Sequence, residues 1–159
     1  MIRATTVIVL VAIFAGAPSW AHAQGDEEAA VMAVVEGLFD AMRAGDSMAM
    51  RAALHPAATA ATAFLQDGVP TLSREGSLDG FVQAVGTPHD EVWDERIWDA
   101  EVEVDGPLAT AWMKYAFYAG ETFSHCGVDA FQLFKGQEGW KIFHIADTRR
   151  REGCEVSGE

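Results

Sequence analysis

The chain has 159 residues and a formal net charge of −13 at pH 7, from 24 acidic and 11 basic side chains. A field of that sign repels a phosphate backbone and an anionic bilayer surface, which excludes nucleic-acid binding and adsorption to acidic lipid as its main work. The length suits one domain able to bury a real core.

The first 23 residues read as a cleaved signal peptide. Arg3 supplies the charged start, Val7 to Ala15 an apolar centre, and Ala21-His22-Ala23 an A-x-A cleavage site. The apolar run is far shorter than the ~20 residues of a spanning helix. No cysteine follows the cleavage site, so neither a membrane nor a lipid anchor is expected. One domain, Gln24 to Glu159, is therefore expected to be exported, to the periplasm or the medium.

Within that domain, Val31, Val34, Val35, Leu38, Phe39 and Met42 recur at helical spacing over residues 29–43. Gly45 ends the helix, and Asp46 or Ser47 caps a second that runs to about Leu54 before Pro56 stops it. Ala58 to Leu65 reads as a short strand and Gln66 to Pro70 as a turn. Ser77 caps a third short helix carrying Leu78, Phe81, Val82 and Val85 on its inner side. From residue 92 the period changes to two. Trp98, Ala100, Val102 and Val104 alternate with Asp99, Glu101 and Glu103 in a half-exposed strand. Strands over Ala109–Ala119, Phe123–Lys135 and Trp140–Thr148 follow, with glycine-bearing turns between them and a polar tail after Arg149. Helices first and antiparallel strands afterwards make an α+β fold with helices on one face of a curved sheet.

The pattern resembles the nuclear transport factor 2-like superfamily, in particular its SnoaL-like and putative lumazine-binding branches. The resemblance is carried by Leu38-Phe39-Asp40-Ala41-Met42-Arg43-Ala44-Gly45-Asp46 with Leu54-His55-Pro56, and by Leu108-Ala109-Thr110-Ala111-Trp112 running to Tyr115. It continues through Ser124 to Leu133 with Gly139-Trp140-Lys141-Ile142, and through Ala146-Asp147-Thr148-Arg149-Arg150 with Cys154. It spans essentially the whole exported domain. It implies a cone-like, cystatin-like curved antiparallel sheet wrapped around the N-terminal helices. It does not imply one activity, because this fold hosts isomerases, dehydratases, cyclases, epoxide hydrolases and non-catalytic binders. The ketosteroid isomerases of the superfamily place a Tyr late in the first helix and an Asp base in the following strand. Here Leu38 and Phe39 and the carboxylate-free Ala58–Phe64 stand at those places, so that chemistry is not carried over.

The last two strands make a hairpin across Gly136 to Glu138. With Phe134 paired with Trp140, His125 lies opposite Arg149, Gly127 opposite Asp147 and Phe131 opposite Phe143. One face then carries His125, Asp129, Phe131, Phe143, Ile145, Asp147 and Arg149, and the preceding strand adds Met113, Tyr115 and Phe117. An apolar face with a few convergent polar groups is the usual lining of a small-molecule pocket. The expected pocket residues are Tyr115, Phe117, Phe131, Phe143 and Arg149. His125 with Asp129 or Asp147 is the candidate acid–base pair, its alternatives being ligand contact or a structural His–Asp or Asp–Arg pair. The other face carries Trp112, Lys114, Cys126, Val128, Gln132, Trp140 and His144. Its apolar members suggest a homodimer surface.

Cys126 and Cys154, an even pair in an oxidising compartment, are expected to form a disulfide worth roughly 3–4 kcal/mol; two free thiols are the alternative. Adjacent strand residues face opposite ways, which keeps Cys126 from pairing with His125 as a nucleophile. His55, His89, His125 and His144 show no zinc-ligand spacing. The acidic stretch Asp90, Glu91, Asp94, Glu95, Asp99, Glu101, Glu103, Asp105 lacks a calcium-loop spacing, and its alternating part reads as a solvated strand face. No metal and no cofactor is expected. Three functional classes stay open: a binder of a small apolar or partly polar molecule, a cofactor-independent acid–base enzyme of hydratase, dehydratase, isomerase or cyclase type, and a structural dimerisation module.

Overall fold

The computed structural model describes residues 19–155, with side chains from Gln24 onward. The export signal expected over residues 1–23 lies outside the described side chains. Helix α1 (Ser19–Ala44) is followed by α2 (Ser47–Ala53), β1 (Leu54–Gln66), β2 (Val69–Glu75), α3 (Asp79–Val85), β3 (Trp93–Asp105), β4 (Leu108–Ala119), β5 (Thr122–Gly136) and β6 (Gly139–Arg149). The six strands form one curved, unclosed sheet in the order β2-β1-β6-β5-β4-β3. Every neighbouring pair is antiparallel except β1 and β6, which run parallel. Among the described residues no helix is long and apolar enough to cross a membrane.

Helix α1 ends as its sequence dictates. Gly45 adopts φ 67°, and the Gly45 and Asp46 amides return to the carbonyls of Met42 and Ala41, so the last turn is closed by a left-handed residue. Asp46 then accepts from the Met48 and Ala49 amides and starts α2. The buried stripe Val31, Val35, Leu38, Phe39 and Met42 lies against the sheet, where it meets Met113, Phe131, Leu133, Trp140 and Ile142. The four hairpin turns fall at the glycine-bearing sites, with positive φ at Asp67, Gly68, Gly106, Gly120 and Gly139.

Two elements differ from expectation. β1 begins at Leu54, seven residues of β2 extend it into a hairpin, and β2 is an almost wholly exposed edge strand with no buried alternation to betray it. Three one-residue bulges then reset which side chains face the helices. In β3 the bulge lies between Trp98 and Glu101, where Asp99 takes φ 52°. In β5 it lies at Ser124, and in β6 at Phe143. Each adds one residue to one strand of a pair and inverts the inside–outside pattern on one side of itself.

The β5–β6 register consequently departs from the Phe134–Trp140 pairing. Lys135 pairs with Trp140, and beyond the Phe143 bulge Phe131 pairs with Ile145 and Asp129 with Asp147. Trp140 is not on the outer face: it is 5% exposed in the core, and its indole N–H donates to Glu27 Oε2 at 2.9 Å. The outer apolar residues are instead Trp112, Leu108 and Phe134, the last two directly paired across β4 and β5. Cys126 and Cys154 are joined in a disulfide with Cα atoms 5.9 Å apart. Cys126 pairs with Arg150 rather than Thr148, and their backbone groups exchange two hydrogen bonds.

Candidate functional site

Between α1, α2, α3 and the concave face of the sheet lies a cavity of about 160 Å³. Its apolar wall comes from Leu38, Phe39 and Met42 of α1, Met50 of α2, Phe81 of α3, and Phe131 and Ile145 of the sheet. Phe39 and Phe131 meet edge to face at 5.9 Å, a packing that fixes both rings. The polar side is built by strands: Glu95 on β3, Tyr115 on β4, Asp129 on β5, Asp147 and Arg149 on β6, with Thr62 and Glu75 from the β1–β2 hairpin.

The polar groups fall into two connected sets. In the first, the Tyr115 hydroxyl donates toward Asp147 Oδ2 at 3.2 Å and the Thr148 carbonyl at 3.0 Å, and the Arg149 guanidinium lies 3.3 Å from the same Asp147 oxygen. Burial, then the charges of Asp147, Asp129 and Glu95, push the Tyr115 hydroxyl far above its ordinary range, so it stays a donor. Gly127 makes this approach possible, since a Cβ there would collide with the Thr148 carbonyl and the Tyr115 ring.

The second set is the pair Glu95 and Asp129. Asp129 is 3% exposed, and its Oδ2 is buried without a hydrogen-bond partner. Its carboxyl is hydrogen-bonded to that of Glu95, which requires one proton between them. Burial, the Glu95 charge and Asp147 hold Asp129 well above the carboxylate range, while burial raises Glu95 to about 7 against the pull of the Asp129 bond. Both carboxyls are thus held above the ordinary carboxylate range, and the pair keeps a proton at neutral pH.

Of the residues expected from sequence, Tyr115, Asp129, Phe131, Asp147 and Arg149 line the cavity together. His125, Phe117 and Phe143 are not in its wall. His125 stacks on Phe117 at 5.1 Å and meets Tyr115 edge-on at 5.7 Å, and its Nδ1 lies 3.0 Å from Ser124 Oγ. Among the described residues no hydrogen bond joins His125 to Asp129 or Asp147. Desolvation, then Arg149 and Arg151, lower His125 to about 4, so the ring is neutral at pH 7. Phe143 is the extra residue of the β6 bulge, which removes it from the cavity side. Glu95 is the member the sequence hid. It sits in an acidic run that reads as solvated, and only the bulge at Asp99 turns Trp93, Glu95 and Ile97 inward together with Val102 and Val104.

Residues 26–145 match the family described as "Putative lumazine-binding". The chain belongs to that family. This lumazine-binding-like domain is a member of the nuclear transport factor 2-like superfamily, SnoaL-like branch. Comparison with curated proteins gives no match. Among solved structures, this family member is similar to a Mycobacterium tuberculosis protein of unknown function at 17% identity and TM-score 0.68, over 87% of this chain and 80% of that one. It is also similar to a nuclear transport factor 2-like protein with a cystatin-like fold from Novosphingobium aromaticivorans, at 12% identity and TM-score 0.66, over 86% and 89% of the two chains. A third likeness is to a "putative dehydratase" of the same superfamily from Streptomyces avermitilis, at 14% identity and TM-score 0.60, over 80% and 98%. At such identities the likeness shows the fold.

Proposed function

We propose that this protein is exported and binds a small, largely apolar molecule in the cavity between its helices and its sheet. The observation that carries the reading is an aromatic-walled cleft with polar groups from β3, β4, β5 and β6 converging on one side. At about 160 Å³ it is close in size to an apolar cavity that holds benzene, so the ligand is one or two rings rather than a lipid or a long chain. Lumazine, for which the family is named, is a flat fused ring bearing N–H and C=O groups and belongs to that class. Export is supported by the tripartite N-terminus and by the Cys126–Cys154 disulfide.

Mass spectrometry of small molecules that co-purify with the native protein, followed by titration with lumazine, tests the binding role. A defined ring compound lost on Phe131→Trp, which fills the cavity, is the expected result. Failure of every ring compound to bind would refute it. N-terminal sequencing of periplasmic protein is expected to begin at Gln24, and a form still beginning at Met1 would refute export.

A second reading is favoured by the proton shared between buried Asp129 and half-buried Glu95: a cofactor-independent acid–base enzyme. His125, Asp129 and Asp147 are the groups expected to matter for it, with Glu95 added as the carboxylate that can accept a proton near neutral pH. Turnover of the co-purifying compound, lost in Asp129→Asn, would decide between the two. For the outer face we propose that a second copy of the chain covers Leu108, Trp112 and Phe134.

A further inference from the structure

The cavity is mostly apolar, yet its polar side is lopsided. Four carboxyl groups, Glu75, Glu95, Asp129 and Asp147, face one guanidinium, Arg149. The donors present are already directed elsewhere. The single Tyr115 proton points to Asp147 and the Thr148 carbonyl, and the half-exposed Arg149 lies against Asp147. Nothing from the protein donates to Glu95 or Asp129 among the described residues except the proton they share. Asp129 Oδ2, fully buried and lining the cavity, is left without a partner. Two carboxyls in a desolvated wall stay together only by keeping a proton that water would otherwise remove.

We propose that the cavity takes an organic cation, a primary or secondary ammonium on a small apolar ring, seated against Glu95 and Asp129 in exchange for the proton they share. The inference rests on the small-molecule reading above and specifies its ligand class. An ammonium brings two or three N–H donors to acceptors that have none. The exchange conserves charge. The ligand's positive charge enters, the O–H bond of the shared proton breaks, the proton leaves for solvent, and two carboxylates hold one cation. The apolar wall, with Phe39, Phe81, Phe131 and Met42, suits a ring. Among the described residues no three acidic, histidine or cysteine side chains converge to hold a metal ion.

The charged surroundings of the pair are known from every side. On β3, Asp94 is tied to Arg43 of α1 and to Arg96. On β6 stand Asp147 and Arg149, on β4 Tyr115, and at the end of β2 Glu75; α2 and α3 present only apolar side chains to the cavity. A ligand cation and a proton thus compete for the same two carboxyls, and binding strengthens as pH rises.

Calorimetry on the oxidised protein with benzylamine, benzyl alcohol and benzoate, at pH 6 and pH 8 and in phosphate and Tris, tests this. Benzylamine, a cation throughout that range, is expected to bind at least tenfold tighter than benzyl alcohol and to leave benzoate far behind. Its affinity is expected to rise about tenfold or more from pH 6 to pH 8. At pH 6 its heat is expected to differ between the two buffers because a proton is released. Glu95→Gln and, separately, Asp129→Asn are each expected to weaken benzylamine about tenfold and to flatten its pH dependence, with circular dichroism confirming the fold. Benzyl alcohol binding as tightly as benzylamine, or a benzylamine affinity independent of pH, would overturn the inference while leaving the pocket reading intact. Failure of all three probes to bind would overturn both.

Discussion

Replacing Glu95 by Gln is expected to stabilise the protein, and to do so only at neutral and alkaline pH. The Glu95 carboxyl titrates at 4.5 when unfolded and at about 7 in the folded chain, raised first by burial. Between those values the folded state holds a proton that the unfolded state has released. Stability therefore falls as pH rises, by about 1.4 kcal/mol per unit. Below pH 4.5 the group costs nothing, and above pH 7 the full difference is lost, about 3 kcal/mol. Gln keeps the shape and carries no charge, so its advantage grows over the same window. Urea unfolding of both proteins at pH 5 and pH 8 measures it, provided the denaturant slope is unchanged. The expected outcome is near equality at pH 5 and a variant more stable by about 3 kcal/mol at pH 8, equivalent to roughly 10 °C in Tm. A difference between the two proteins that does not change with pH, or a variant weaker at pH 8, would show that Glu95 is not held in the desolvated wall.

Reduction of the disulfide, or Cys154→Ser, is expected to cost about 3.5 kcal/mol for a sequence separation of 28 residues, seen as a lower melting temperature; both thiols alkylating in native unreduced protein would contradict it. Phe131→Ala, at a position 2% exposed, is expected to lose about 3–5 kcal/mol and to admit larger rings, checked by urea unfolding and ligand titration; a loss under about 1 kcal/mol would mean the cavity wall is not packed as described. Trp112→Asp, on the outer face at 53% exposure, is expected to convert a dimer to monomer in sedimentation without changing the melting temperature of the monomer; a wild-type monomer at micromolar concentration would refute the dimer.

The architecture was legible where periodicity and burial agree. The α1 stripe from Val31 to Met42, the Asp46 cap and the glycine turns all follow from local chemistry that the structure preserves. β2 was not legible because an exposed edge strand, Val69-Pro70-Thr71-Leu72, buries neither face and so carries no alternation. The parallel docking of β1 on β6 was equally silent, since pairing across such a distance leaves no mark in either segment. Five members of the candidate site were found because parity within β4, β5 and the end of β6 survives a two-residue register error. Trp140 and Phe143 were misplaced because the β6 bulge inverts parity between them and Ile145. Glu95 was missed for the same reason on β3.

That β3 bulge makes the position of Glu95 a matter of counting. Trp98 pairs with Lys114 and Glu101 with Trp112, so Asp99 and Ala100 together stand opposite the single residue Met113. The extra residue works like a frameshift in the strand. Loss of either Asp99 or Ala100 would leave one residue opposite Met113 and restore regular alternation without moving either half, since Trp98 keeps Lys114 and Glu101 keeps Trp112. Trp93, Glu95 and Ile97 on one side and Val102 and Val104 on the other would then face inward by plain alternation, as they now do across the bulge. What the extra residue adds lies outside the cavity, where Asp99 meets Lys114 at 3.1 Å. A chain of this family without Asp99 would therefore be expected to keep the carboxylate in its cavity and to lose only that ion pair.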